Sequence, residues 1–230
     1  MISIIIPTYN ESKNITELVA RIKKCLSKNY ELIIVDDGSP DGTGLIAENL
    51  AHEYPIKVIH REKKLGLASA VLEGFKAASG ELLCVMDSDL SHPPEIIPLL
   101  LKKLEEPGVD IVIGSRFTKG GAIENWPKKR LVATTIAILT VRPLTRVKDP
   151  MSGFFLLKRE VITNVRLIPR GFKILLEILV KGKYSQSVEI PIIFKDRVMG
   201  VSKISSKVYM EFFAQLIDLY GFKFRSFFKS

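Results

Sequence analysis

The 230-residue chain is poor in the residues that carry redox and metal chemistry, with two cysteines and three histidines. Cys25 and Cys84 sit in apolar surroundings without a C-x-x-C spacing. Neither a zinc site nor a disulfide framework is indicated, and a reducing cytoplasm is the expected compartment. His52, His60 and His92 stand apart from one another, and no Ser-His-Asp arrangement is signalled. The sequence has no G-x-G-x-x-G turn and no G-x-x-x-x-G-K-[ST] loop, which removes most of the case for NAD binding or P-loop phosphoryl transfer. Long apolar runs are missing too. The longest uncharged one, residues 131–141, has eleven residues between Arg130 and Arg142, too few to span a bilayer. Met1 leads straight into a strand-like run, so no signal peptide is expected. Internal repeats and low-complexity linkers are absent as well.

What is present is ordinary globular material, 47% hydrophobic and 26% charged, in a length that suits one domain. The net charge of +9 is divided unevenly. Residues 1–115 hold 12 Lys/Arg and 17 Asp/Glu (−5), whereas residues 116–230 hold 22 and 8 (+14). The second half is therefore expected to meet something anionic: a phosphate, nucleic acid or an acidic membrane surface.

Short β-branched apolar runs predict buried strands at residues 2–7 (ISIIIP), 30–35, 56–60 and 81–86. Helical periodicity separates them at 14–26, 42–54 and 67–78, with Asn14 as N-cap of the first helix and Gly80 closing the third. Such alternation predicts an α/β fold: right-handed βαβ units and a mostly parallel, Rossmann-like sheet flanked by helices. After Pro94 the pattern predicts a helix at 95–105 and a strand at 110–114. It then predicts a mobile loop at 118–124, a basic helix from 128 to about 139, and a loop at 147–153. A strand at 154–158, a short helix at 160–164 and a longer one at 173–181 follow. A strand at 187–194, a basic loop at 195–203 and an amphipathic segment at 207–220 complete the chain. The end, FKFRSFFKS, interleaves four Phe with basic residues, which suits insertion at a membrane interface or the soluble part of a longer membrane protein.

In parallel sheets ligands bind at the carboxyl ends of strands, and here those ends read PTYNE, DDGSPDG, REKKLG and DSD. The last is the centre of the prediction. If Asp87 and Asp89 end an extended strand, their carboxylates face one spot, and two hard oxygen donors suit Mg2+ or Mn2+ completed by a diphosphate and water. An acidic rim opposite a basic half fits a nucleotide-diphosphate substrate, with arginines taking phosphate oxygens.

The motifs PTYNE, VDDGSPDGT, DSDLSHPPE, GSRF, DPMSGFF and R-x-x-G-x-S-K occur in an order that resembles the inverting family 2 glycosyltransferases of GT-A fold. Within them the resemblance is to the dolichol-phosphate (polyprenyl-phosphate) mannosyltransferases, sharpened by the string at 169–179 (PRGFKILLEIL). The R-W signature of processive synthases is missing, since the sole tryptophan, Trp126, lies in NWPKK. The resemblance implies one catalytic domain over 1–203, with a nucleotide-sugar half at 1–115, an acceptor half at 116–203 and a membrane-facing segment at 204–230. It implies mannose transfer from GDP-mannose to dolichyl or another polyprenyl phosphate with inversion, dependent on Mg2+ or Mn2+. The work would be done peripherally on the cytoplasmic face of a membrane, with room for a membrane-anchoring partner subunit and without nucleic acid. Residue by residue, it implies that Pro7, Tyr9, Glu11, Val35 and Asp37 hold base and ribose. Asp87 and Asp89 would engage donor and metal, with Met86 and Ser88 adjacent and Ser91 standing where the family has a metal-ligating Gln. Arg116, Arg130 and Thr134 would grip the acceptor phosphate, Arg116 would bind the donor as well, and Arg197 and Lys203 would close over the donor diphosphate. Asp89, Arg116 and Arg130 are the expected catalytic residues. Asp149 is read as a structural cap or a neighbour of the acceptor.

Three other readings stay open on the residues alone. One keeps the fold and acceptor but takes UDP-glucose as donor. A basic module binding nucleic acid or a membrane surface would explain the charge but leave the acidic rim without a role. A glycan-binding or scaffolding relative without activity would not need the Asp87/Asp89 pair.

Overall fold

The computed structural model describes residues 1–168, 173–195 and 206–227. Four strands come first, β1 (Ile2–Thr8), β2 (Tyr30–Asp36), β3 (Ile56–His60) and β4 (Leu82–Val85), separated by α1 (Ile15–Cys25), α2 (Thr43–Leu50) and α3 (Leu67–Ala77). Next are α4 (Ile97–Leu104), β5 (Val109–Ser115), β6 (Ala122–Glu124), α5 (Lys128–Val141) and β7 (Phe155–Lys158). The chain ends with α6 (Ile174–Lys181), β8 (Gln186–Pro191), β9 (Ile193–Lys195) and α7 (Ser206–Phe227). Seven strands form one sheet in the order β3-β2-β1-β4-β7-β5-β8, and β6 pairs with β9 in a second, two-stranded sheet. All pairings are parallel except those of β7, which runs against both β4 and β5.

The unbroken apolar run of β1 is explained by two-sided burial. Ile2, Ile4 and Ile6 pack in one core layer with α1, α2 and α4, while Ile5 points into the other with α3 and α6. Leu32 and Ile34 join the first layer, and Ile33 and Val35 face α3. Each fully buried Ile contributes roughly 2 kcal/mol of transfer free energy, so a strand with both faces covered needs no polar alternation. Cys84 lies in the same core, where burial pushes its thiol far above its ordinary range and keeps it out of chemistry.

Several local expectations are corrected. Asn14 makes no side-chain cap. The turn already closes at Glu11, whose carbonyl accepts from the Asn14 and Ile15 N–H groups, and the Asn14 amide donates back to Glu11 Oε2 at 2.7 Å. Gly80 does not close α3 in a left-handed turn. Its lack of a side chain admits the Met1 carbonyl and Ser3, which a Cβ there would meet at 2.7 Å. Residues 118–124 are not wholly loop, because β6 borrows its hydrogen-bonding partner from β9, 71 residues on. The strand expected at 187–194 is accordingly split into β8 and β9, which serve different sheets. The helix expected at 160–164 is a single 3-10 turn at Arg159–Val161. A similar turn at Pro94–Ile96 precedes α4.

At the C-terminal end, α7 packs on α5 and α6 through Val141, Leu144, Leu176, Leu216 and Leu219. The helix continues to Phe227, well past Tyr220, so the Phe-rich end is largely helical. Among the described residues no helix is long and apolar enough to cross a membrane.

Candidate active site

The carboxyl ends of β1 and β2 are laced together. Thr8 Oγ1 donates to Asp36 Oδ1 at 3.1 Å, and Asp36 also accepts from the Ser39 N–H at 3.0 Å and the Ser39 hydroxyl at 2.5 Å. The N–H groups of Asn10, Glu11 and Ser12 donate to Ser39, Thr43 and Asp41. Asp37, expected at the base and ribose, spans to the next loop. Its carboxylate accepts from the N–H groups of Leu65 (2.8 Å) and Gly66 (2.9 Å) and pairs with Arg61 at 2.9 Å. Tyr9 is exposed, with the Lys64 ammonium 3.6 Å above its ring. Val35 and Met86 are packed in the core and offer a ligand only main-chain groups, and Pro7 is buried on β1 opposite Val35 of β2.

The Asp-Ser-Asp segment is not an extended strand end. β4 stops at Val85, residues 88–90 bend, and Leu90 takes a left-handed φ of 62°. The two carboxylates are therefore presented by a bend and have different neighbours. The carboxylate of Asp89 is buried, and its Oδ1 accepts from the Ser91 N–H at 3.1 Å and the Ser91 hydroxyl at 2.5 Å. Ser91, expected as a ligand, orients the Asp89 carboxylate. Ser88 ties the bend to β1 by donating to the Pro7 carbonyl at 3.1 Å. Asp87 is partly open. Its N–H donates to His92 Nδ1 at 3.1 Å, which puts the imidazole proton on Nε2, and its carboxylate lies 3.7 Å from the same ring. Burial pushes His92 below its ordinary range against the pull of Asp87 and Asp89. The ring stacks on Phe154 and meets Phe194 edge-on, each at 5.4 Å.

Arg116, just past β5, is the next wall. Its N–H donates to Asp149 Oδ2 at 3.0 Å, and its guanidinium grips the same carboxylate bidentately, Nε to Oδ2 and Nη2 to Oδ1, both at 2.7 Å. Three of its five side-chain donors remain without a described partner. Asp149 opens a turn with Pro150 second, closed by the Ser152 N–H on the Asp149 carbonyl at 3.2 Å. Glu189 of β8 holds the turn from behind, accepting the N–H groups of Lys148 and Asp149 at 2.9 Å each. At the far end of the turn, Gly153 leaves room for Asp87, whose oxygens would stand 3.0 and 3.1 Å from an added Cβ. One short loop thus touches both the carboxylate bend and the arginine.

Arg130 and Thr134 lie one turn apart on α5, both half-buried. The Arg130 guanidinium sits 3.9 Å over the Trp126 ring, which also faces Arg116 at 5.3 Å and meets Phe194 edge-on at 5.6 Å. The β6–β9 pair brings Trp126 and Phe194 together. Lys173, at the head of α6, donates to the Met151 carbonyl at 3.3 Å. Burial pushes its ammonium down to about 7, Arg116 adds repulsion, and Asp149 and Asp87 pull the other way. Arg197, Lys203 and residues 169–172 of the PRGF string fall outside the described residues.

Sequence reasoning missed His92, Lys173, Glu189 and the part of Trp126, and it undervalued Asp149.

The chain matches the sequence profile of Glycosyl transferase family 2 over residues 3–166. It is 51% identical over 223 residues to the dolichol-phosphate mannosyltransferase of Pyrococcus furiosus, covering 95% of this chain and 63% of that protein. It therefore spans less than two thirds of that relative's length. The Saccharomyces cerevisiae protein of the same name is 40% identical over 236 residues, covering 96% of this chain and 88% of the relative. Among solved structures, glucosyl-3-phosphoglycerate synthase of Mycobacterium tuberculosis, with Mn2+, UDP-glucose and phosphoglyceric acid, superposes with a TM-score of 0.74 at 20% identity. The match covers 96% of this chain and 80% of that one, and at this identity the likeness is one of fold. With a matched profile over most of its length and relatives this similar, the chain belongs to glycosyl transferase family 2.

Proposed function

We propose that this chain transfers mannose from GDP-mannose to a polyprenyl phosphate such as dolichyl phosphate, inverting the anomeric carbon. The observation that carries the reading is the loop at 149–153, which buttresses the carboxylate bend at Asp87 and the phosphate-type cation Arg116 at once. A donor diphosphate at the bend and an acceptor phosphate at the arginines are then neighbours. The names of the Pyrococcus and Saccharomyces relatives support the sugar and the acceptor.

The residues present fit a divalent cation. Asp87, Asp89 and Ser91 offer hard oxygens only, and the described residues contain no group of three His, Cys, Asp or Glu that could hold a metal. Asp89 and Asp87 would hold Mg2+ or Mn2+, which would supply charge neutralisation for the departing diphosphate. Ser91 fixes the orientation of Asp89, and His92, kept neutral by burial, fixes the backbone of Asp87. Arg116 and Arg130 orient the acceptor phosphate oxygen toward the anomeric carbon, with Thr134 beside them. That phosphate has a second pKa of about 6, so it is already largely ionised at neutral pH and needs no strong base. This agrees with a site whose only histidine is occupied in holding Asp87.

The acceptor's lipid must stay in a bilayer, and two helices offer apolar faces toward solvent. Val132, Ile136 and Leu139 are exposed on α5, and Met210, Phe213, Ile217, Tyr220 and Phe224 are exposed on α7 at spacings of three and four. Such stripes, in the basic half, support peripheral seating on an anionic membrane surface. The test is transfer from GDP-, UDP- and dTDP-sugars to a short-chain polyprenyl phosphate, with and without Mn2+. Metal-dependent product from GDP-mannose is expected. Product from UDP-glucose alone would change the donor, and no metal-dependent transfer from any of them would overturn the reading.

A further inference from the structure

We propose that the cleft where the end of α5 meets the second half of α7 binds the phosphate of an anionic membrane lipid, at a site separate from the acceptor arginines. The cleft encloses about 450 Å³ and is lined by Arg142, Arg146 and Lys223, with Tyr184, Thr145 and Ser187 adding hydroxyls. No carboxylate is among its lining residues.

Two of these cations donate to main-chain carbonyls. Arg142 Nη1 donates to the carbonyls of Arg146 and Val147, both at 3.3 Å, and Lys223 Nζ donates to those of Pro143 (2.8 Å) and Leu144 (3.1 Å). Carbonyls orient a cation without cancelling its charge, and neither Arg142 nor Arg146 has an ion-pair partner among the described residues. Positive groups gathered around one cleft favour a phosphate.

The rim selects the source of that phosphate. Leu139, one turn before Arg142, is 63% exposed, and Phe224, next to Lys223, is 67% exposed. Tyr220, one turn before Lys223, fixes the two helices together by donating to the Thr140 carbonyl at 2.6 Å. A free phosphate gains nothing from an apolar rim, whereas a lipid phosphate carries its chains within reach of one. The inference rests on the membrane-surface part of the proposed function and adds a defined headgroup contact to it.

The experiment is sedimentation of the full chain with phosphatidylcholine vesicles, with and without phosphatidylserine. Arg142→Gln/Arg146→Gln is expected to lower partitioning onto phosphatidylserine vesicles about tenfold or more, and to leave binding to plain phosphatidylcholine unchanged. Lys24→Gln/Lys102→Gln, which removes the same charge from helices on the opposite sheet face, is expected to change it less than about twofold. Equal losses in both variants, or none in the first, overturn the cleft as a headgroup site. A thermal shift with inorganic phosphate that the first variant abolishes, without a vesicle effect, assigns the cleft to free phosphate and overturns the lipid source. Should the unmodified chain bind neither vesicle, the membrane reading itself fails. Arg146→Lys, which keeps charge and fold, is expected to retain most of the binding; its failure to do so in a folded protein counts against the cleft.

Discussion

The Asp149 carboxylate takes three hydrogen bonds from Arg116, at 3.0, 2.7 and 2.7 Å, in a place where Asp149 has no solvent exposure at all. With so little water, each charge depends on the other for its solvation. Asp149→Asn is expected to lower unfolding free energy by about 3–5 kcal/mol, because it leaves a buried guanidinium without its counter-charge. Urea denaturation measures it. A loss under about 1 kcal/mol would mean that Arg116 finds other partners.

Gly153→Ala tests the contact between the turn and the carboxylate bend. The new methyl would stand 3.0 Å from Asp87 Oδ2 and 3.1 Å from the His92 ring, so the carboxylate must shift by a few tenths of an ångström. Transfer is expected to fall about tenfold, with weaker metal dependence and a nearly unchanged melting temperature. Unchanged turnover would detach Asp87 from the reaction.

Lys173 gives a pH signature. Its folded pKa of about 7 lies below the 10.5 of an unperturbed lysine, so between those values the unfolded chain binds more protons than the folded one. Stability from this group is therefore lost as pH falls through that window toward 7 and gained as pH rises. Lys173→Met removes the dependence. Its stabilisation relative to the parent is expected to be larger at pH 7 than at pH 10, read from paired denaturation curves. A bound phosphate should reverse the trend by drawing a proton onto Lys173.

Trp126→Leu removes the plane on which Arg130 rests at 3.9 Å. A cation–π contact of about 1 kcal/mol predicts roughly a fivefold rise in the acceptor KM, with kcat changed less. An effect confined to the donor KM would place Trp126 on the other substrate.

The sequence was most legible where one residue type repeats for one physical reason. The Ile and Val runs of β1 and β2 are buried on both faces and could be nothing but central strands. The polar stretches after them therefore fall at one edge of the sheet. Interactions between distant segments were not legible. β6 and β9 are three-residue strands that, among the described residues, pair with each other, so neither has a periodic signal. Arg116 and Asp149 are brought together by β7 lying beside β5, with Ile113 opposite Phe155. No local pattern encodes that pairing. The bend at residues 87–90 was misread as a strand end because alternation cannot reveal where extension stops, and the left-handed Leu90 has no compositional mark.

The strand order also has a consequence for assembly. β1 to β4 are mutual neighbours within the first 85 residues, whereas β5 pairs, among the described strands, with β7 and β8. As a nascent chain lengthens, the first four strands can close on themselves. β5 must wait, with both edges bare, until residue 155 and beyond has been made. Half of the rim is therefore able to form early and cooperatively, while the other half is delivered late by long-range pairing. Destabilising changes in β7 should expose β5 during folding and be felt as aggregation before they are felt as lost activity.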